Sequence, residues 1–340
     1  MTFIAPETKI KQLLSGLRLG TEALKASLDE QQLQSIALIP PRSMSPKERI
    51  IHILMQEVEQ HYGIAAGDQV ERKLVHIFDT MTDIDLGRWI HELISGKAAE
   101  AEWLSLVECL TVHETYFDRD KEMLGILSSE ILPRLIEQKK QSGEFRLRIW
   151  SAGCSSGEEC YNLAMLLLLA MKSAGGAREL EDGSIQPDPE WDISVMGSDI
   201  SSQMTRIAKN GAYSTTDMGP FRGMDPLLWR FFEDITDLDE CVGGVRSLRV
   251  KSCVSDITRF RRLNLLEPLP DEMPFDLVVC RNVLIYFDIK KNIVQEHLCN
   301  SLVTGGTLIL GVTDVLSCTK SFNRHHRDGN FWYVKNLDRG

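Results

Sequence analysis

The residues best suited to chemistry lie in one short run, Ile149-Trp150-Ser151-Ala152-Gly153-Cys154-Ser155-Ser156-Gly157-Glu158-Glu159. A β-rich stretch enters it, small residues turn it, and an apolar helical pattern leaves it. Small residues let a backbone approach a ligand closely, and a helix N-terminus offers unpaired N–H groups. The run lacks the GxGxxG spacing, which disfavours a nicotinamide dinucleotide. Two carboxylates at the helix start oppose a pyrophosphate and suit a cationic amino-acid group instead. Further on, Ser198-Asp199-Ile200 ends the next predicted strand. A carboxylate there can accept both hydroxyls of a ribose; the competing reading is an Asp that caps a helix starting at Ser201. Leu277–Cys280 is a short apolar run leading into Arg281, Asn282 and Tyr286. The carboxyl end of a middle strand is where α/β folds place ligands, so Asn282 and Tyr286 are candidates to face one. Tyr286 and Phe287 are equally ordinary as core aromatics.

Two other patterns compete. Gly153-Cys154-Ser155-Ser156-Gly157 also matches GxSxG, the nucleophile elbow of α/β-hydrolases, with Asp276 or Asp288 and His297 or His325 as partners. No HGGG-like oxyanion segment accompanies it, and it opens the sheet rather than following several βα units. His113-Glu114 begins like HExxH, but Phe117 stands where the second His belongs, so no zinc site follows and no metal is expected.

Elements must hold these residues in place. Apolar spacing predicts helices over Arg49–His61, stopped by Gly63, from Asp68 to about Thr80, from Asp83 to Ile94, and over Glu100–Leu110. A long amphipathic helix follows, from about Lys121 to Lys140. Beyond it strands alternate with helices: Phe145–Trp150, Gly157–Ser173, Trp191–Met196, Ser201–Asn210, Phe275–Cys280, Ile289–Leu302, Thr307–Val312 and Phe331–Val334. That alternation predicts a parallel sheet with helices on both faces. Ala174–Glu190 reads as a polar loop, and Asp237–Arg262 as a small antiparallel excursion around Gly243-Gly244.

The chain of 340 residues has room for two domains, and its net charge of −11 argues against general binding to phosphate backbones. Its eight cysteines form no CxxC pair and read as reduced, mostly buried thiols. No basic stretch precedes an apolar core at the N-terminus, and the longest apolar run, Leu163–Met171, is far short of the roughly 18 residues of a membrane span. The expectation is a cytoplasmic protein.

In order along the chain, Thr111–Arg119, Ser151–Glu159 with Tyr161, Ser198–Ile200 with Ala208, Gly211 and Tyr213, Asn264-Leu265-Leu266, and Cys280–Phe287 resemble the CheR-type chemotaxis receptor methyltransferases. These are S-adenosylmethionine-dependent protein-glutamate O-methyltransferases, and the resemblance covers roughly residues 48–335. It implies a Rossmann-like α/β catalytic domain over 143–340 with an inserted β-subdomain at about 237–262. A linker helix over 119–142, an all-helical substrate-recognition domain over 46–118 and an N-terminal extension over 1–45 would precede it. It implies that Glu158 holds the methionine amino group and Asp199 the ribose, with Asn264 and Leu265 flanking the adenine. His113, Thr115, Phe117, Arg119, Asn282 and Val283 would line the methionine end, with Arg119 and Tyr286 beside the methyl group. S-adenosylhomocysteine would be the product, and the acceptor a glutamate in the helical cytoplasmic region of a chemoreceptor. A receptor C-terminal peptide is a further expected partner, at the β-subdomain; nucleic acid and membrane insertion are not expected.

The implied chemistry needs no catalytic His or Cys. A glutamate side chain, with a reference pKa of about 4.3, is already ionised at neutral pH. The protein must instead align carboxylate oxygen, methyl carbon and sulfur, with reacting atoms roughly 3–3.5 Å apart. Several positions depart from the family pattern: His113 replaces the usual Asn, Cys160 a common Pro, and Gly311-Val312-Thr313-Asp314 the usual Gly-His-Ser-Glu. Residues 1–110 hold 11 Lys and Arg against 16 Asp and Glu, so electrostatic steering toward an acidic receptor helix is expected to be weak. Two alternatives stand beside transfer: a donor-binding signalling scaffold without activity, and a hydrolase built on Ser155.

Overall fold

The computed structural model describes residues 45–65, 68–95, 100–111, 114–216, 219–236, 244–269, 274–287, 290–317 and 319–336. The N-terminal extension therefore lies outside the described residues up to 44, as do His113 and Asp288. The chain divides into two units, Met1–Val112 with Tyr286–Asp288, and His113–Ile285 with Ile289–Gly340.

The first unit is helical where described. Helix α1, Pro46–Tyr62, starts in a capping box between Ser45 and Glu48 and ends on Gly63, whose φ of 73° closes the last turn. It buries Ile51, Leu54, Met55 and Val58, one face at helical spacing. Helix α2, Asp68–Ile77, ends three residues before the predicted Thr80, where Lys47 Nζ binds the carbonyls of Phe78, Asp79 and Met81. Helix α3, Asp83–Ile94, is capped by the Thr82 side chain. Helix α4 spans Glu100–Leu110. Trp89 ties α3 to α4 through a 2.8 Å bond to Glu102 and packs its ring against Phe78. The carbonyl of Tyr286 accepts from Ala65 N at 2.8 Å, which is why that short segment groups with the helices.

The second unit opens with α5, Lys121–Ile126, a π-helical turn over Leu127–Ile131, and α6, Leu132–Ser142. The predicted single helix over 121–140 is thus interrupted. Pro133 lacks an N–H and crowds the carbonyl four residues earlier, which the wider turn accommodates.

A seven-stranded sheet follows, with β1 at Arg146–Ala152, β4 at Asp192–Asp199, β8 at Thr258–Arg262, β9 at Phe275–Cys280, β10 at Leu302–Leu310, β11 at Phe322–Arg327 and β12 at Asn330–Lys335. Its order is β11-β12-β10-β9-β1-β4-β8. The five strands from β10 to β8 are parallel, while β12 and β11 run antiparallel, so the sheet is mixed. Every residue of β9 is buried, as the apolar run Leu277–Cys280 predicts, and the one charge in it, Asp276, is paired with Lys139. Chain order leaves β1 in both directions, toward β4 and toward β9. The crevice beyond its carboxyl end is therefore the topological switch point. Helix α7, Glu158–Ser173, leaves that crevice, and α8, Ser202–Asn210, follows β4. A four-residue helix, α9 at Ser252–Ser255, precedes β8, and α10, Lys291–Asn300, precedes β10.

Three expectations are corrected. Ala174–Glu190 is not plain loop: β2, Ala177–Glu179, and β3, Ile185–Pro187, pair as a short hairpin. The antiparallel excursion is not confined to 237–262. Its three strands are β5, Ala212–Ser214, β6, Phe232–Asp234, and β7, Ser247–Val250, while Thr258–Arg262 joins the main sheet beside β4. That strand carries charged residues because it is an edge, and its polarity made it look like part of the excursion. β11 went unseen for the same reason, since Asn323 to Arg327 are all exposed. Among the described residues six cysteines are free thiols, no helix is long and apolar enough to cross a membrane, and no acidic, His or Cys cluster is placed to hold a metal.

Candidate active site

The crevice beyond β1 is built by the turn that joins β1 to α7. Gly153 has φ 82° and Gly157 φ 100°. A Cβ on Gly153 would run into Val283, and one on Gly157 would lie 2.8 Å from Ala208 Cβ, so both turns need glycine. The turn is pinned to β4: Gly153 N and Cys154 N both donate to the Ser198 carbonyl at 2.8 Å. Trp150 Nε1 donates to Ser198 Oγ at 2.9 Å.

The two adjacent carboxylates have different surroundings. Glu159 accepts from Ser151 Oγ at 2.7 Å and from Arg281 Nε at 2.8 Å, so its charge is met within the protein. Glu158 is 2% exposed and accepts from Ser156 Oγ at 2.7 Å. No cation pairs with it among the described residues. Burial pushes its carboxyl up to about 7, only partly offset by the Ser156 hydroxyl. A buried carboxylate without a counter-ion is a place for a cationic ligand.

Asp199 ends β4 and is 8% exposed. It accepts Ser155 N at 2.8 Å and Ser201 N at 2.9 Å, one on each oxygen, which fixes its plane. The helix-capping reading is correct in part: Ser201 caps α8 with its own hydroxyl, and Asp199 supports that residue's backbone. Leu263 N donates to the Asp199 carbonyl at 3.0 Å, which sets the start of the 264–267 turn beside it. There Asn264 Oδ1 accepts Leu266 N, and Leu265 is buried with its carbonyl 3.0 Å from His297 Nδ1.

The segment 114–120 is tied to α7 and to the end of β9 through the pairs Asp118–Asn162 and Asp120–Arg281. The Phe117 ring is fully buried among Tyr213, Phe221 and Phe232, with centroids 5.1–5.3 Å away. It supports the segment; its main-chain N bonds the Pro220 carbonyl at 2.8 Å. Tyr213 reaches on to the β1–α7 turn, its hydroxyl donating to Ser156 O at 2.7 Å. Thr115 and Arg119 are half-buried. Arg119 donates to Glu114 O at 2.7 Å, and Arg222 stacks over Tyr116 at 4.0 Å while pairing with Glu114 at 2.6 Å.

Asn282 follows β9, exposed and with φ 58°, and Val283 is half-buried against Gly153. Five non-glycine residues have positive φ among the described residues, and four of them, Asp118, Asp120, Ser155 and Asn282, lie on these site segments. Each costs on the order of 1 kcal/mol, and such strain collects where geometry serves a function. Tyr286 belongs to the helical unit and is half-buried.

Arg281 went unread in the sequence. It is 8% exposed, and its partners lie 122 and 161 residues away. A buried Arg directly after a core strand was the available signal. Among the described residues, which do not include Asp288, the hydrolase set is not assembled. Asp276 is the second residue of β9, at the opposite end of the sheet from Ser155, and pairs with Lys139 at 2.9 Å. His325 lies on edge strand β11 and stacks on Trp332.

A family model described as CheR methyltransferase, SAM binding domain, matches residues 113–329. Chemotaxis protein methyltransferase 1 of Pseudomonas aeruginosa is 32% identical over 267 residues, 76% of this chain and 88% of that protein. Chemotaxis protein methyltransferase 1 of Vibrio cholerae is 29% identical over 267 residues, 76% and 86% of the two chains. The chemotaxis protein methyltransferase of Borreliella burgdorferi is 28% identical over 274 residues, 79% and 88%.

Proposed function

We propose a function that proceeds from membership: the chain belongs to the CheR methyltransferase family. It is an S-adenosylmethionine-dependent methyltransferase of chemoreceptors, converting glutamate side chains to methyl esters and leaving S-adenosylhomocysteine. The observation that carries this is the buried Glu158, paired with no cation among the described residues, beside the close-packed Gly153–Gly157 turn, with Asp199 across the crevice at the end of β4.

These residues fit the donor. Glu158 is set to hold an ammonium group, Asp199 a ribose diol, and Asn264 with Leu265 the adenine. Thr115, the backbone at Phe117, Asn282 and Val283 line the methionine end; His113 is assigned there from its place in the motif alone. When bound, the donor supplies a methyl group on a positively charged sulfur, which needs no acid to leave. The chain's own work is placement. Arg119 holds the acceptor carboxylate; a part for the Tyr286 hydroxyl in orienting it is assigned from its place in the motif alone. No proton has to move from a glutamate that is already ionised.

The acceptor is the helical cytoplasmic region of a chemoreceptor, so the enzyme works in the cytoplasm. The small β5-β7-β6 sheet offers edge strands to which an extended receptor tail can add by main-chain hydrogen bonds. The residues of 46–118 serve receptor recognition.

Incubation with methyl-labelled S-adenosylmethionine and receptor-bearing membranes is expected to give label on receptor glutamates that mild alkali releases as methanol. Alkali-stable label, or donor binding with no transfer, would overturn the reading; the second result would favour a scaffold.

Glu158 also makes donor binding pH-dependent. Its pKa in the free protein is about 7 and an ammonium partner lowers it, so donor binding releases a proton. Donor affinity is expected to rise as pH climbs through about 7 and to fall up to tenfold per unit below it. For the free protein the sign is opposite, because a carboxyl whose pKa is raised on folding loses stability as pH rises from 4.5 toward 7. Calorimetric titration between pH 5.5 and 8.5 checks this, with Glu158→Gln expected to show a flat, weaker profile.

A further inference from the structure

Arg119 stands between two strained residues, Asp118 with φ 60° and Asp120 with φ 61°. An L-residue stays in the left-handed region only where surrounding bonds hold it. Asp118 is held from one side by Asn162, which accepts Asp118 N at 3.0 Å and donates Nδ2 to Asp118 Oδ1 at 3.0 Å. Asp225 N donates to its other oxygen at 2.6 Å. Asp120 is held from the other side by Arg281, which donates from NH1 to Asp120 Oδ2 at 3.2 Å and to the Arg119 carbonyl at 3.0 Å. Both clamps come from the donor crevice. Asn162 is 1% exposed on α7, and Arg281 is 8% exposed at the end of β9. Arg281 also grips Glu159, the neighbour of Glu158.

We propose that Asn162 and Arg281 are positioning residues for methyl transfer, which fix the main chain on either side of Arg119 relative to the donor turn. The proposal rests on reading Arg119 as the cation that holds the acceptor. In-line transfer tolerates little error between two substrates, and a rigid link between their two holders supplies the needed register. A planar guanidinium reaches Glu159, Asp120 and the Arg119 carbonyl together, as the single ammonium of a lysine cannot.

The test measures kcat, acceptor KM and donor Kd of the full chain carrying Arg281→Lys or Asn162→Leu, each alone and with Arg119→Ala. Alone, each is expected to lower kcat about tenfold or more while donor Kd stays within about threefold, which also certifies the fold. In the Arg119→Ala background each should change kcat less than about twofold, because nothing remains to position. Equal losses in both backgrounds, donor binding that falls in step with transfer, or unchanged kcat in both single variants overturns the proposal. If Arg119→Ala alone keeps the full rate, the reading of Arg119 falls instead, and the two failures are told apart.

Discussion

Arg119→Ala is expected to cut methyl transfer about 100-fold and to leave donor affinity within about threefold. The reason is orientation rather than charge. Transfer joins an anionic carboxylate to a positive sulfonium centre, so the acceptor's negative charge is lost on the way to the ester. A guanidinium that only attracted that charge would stabilise the starting state more than the transition state and slow the reaction. Its benefit is to hold one oxygen on line, and misplacement of about 1 Å costs on the order of 100-fold. The strained, doubly clamped backbone at Asp118 and Asp120 is what such a task requires. Arg119→Lys should recover part of the rate, since an ammonium lacks the planar fork. Tyr286→Phe should cost about tenfold by the same logic, one hydrogen bond being removed. Initial rates of label incorporation, with donor Kd from calorimetry, decide the matter. Full rates in both Arg119→Ala and Tyr286→Phe would remove both residues from the site.

Asp199→Ala has the other large effect, on donor affinity rather than rate, with an expected loss of about 100-fold. The carboxylate does two things. It meets the ribose, and it satisfies the backbone N–H groups of Ser155 at 2.8 Å and Ser201 at 2.9 Å. Leaving a buried donor unsatisfied costs about 1–3 kcal/mol, so the variant should also unfold at lower urea. The two roles separate experimentally. A lower urea midpoint with unchanged donor Kd would reduce Asp199 to a support for the turn and helix. Loss of affinity beyond the stability change assigns it to the ribose.

Local features of this chain were legible because local chemistry dictates them. The unbroken Leu277–Cys280 run could only be a strand buried on both faces, and Gly63 could only end its helix. The β1 turn was legible from small residues between a strand and a helix. What sequence did not show was pairing across distance. Glu158 and Glu159 look alike on paper, yet one meets Arg281 from 122 residues away and the other, among the described residues, meets a serine hydroxyl and no cation. Phe117 was read as lining the ligand, whereas its ring is spent on an aromatic cluster drawn from β5, β6 and the loop between them. Edge strands β8 and β11 were misread because their polar sequence serves solvent, and polarity alone cannot separate an edge from a loop.

That aromatic cluster bears on how the chain can be inherited in pieces. The small β5-β7-β6 sheet looks like a module, a self-contained insertion that can be exchanged whole. Yet Phe221 and Phe232 lie within the insertion and pack on Phe117, and Tyr213 touches both Phe117 and the Ser156 carbonyl. A chimera spliced at Ser214 and Ser247 would import a foreign sheet and leave Phe117 facing rings it was never fitted to. The unit of exchange is therefore the sheet together with residues 114–120, and recombination that separates them should be rare among functional descendants.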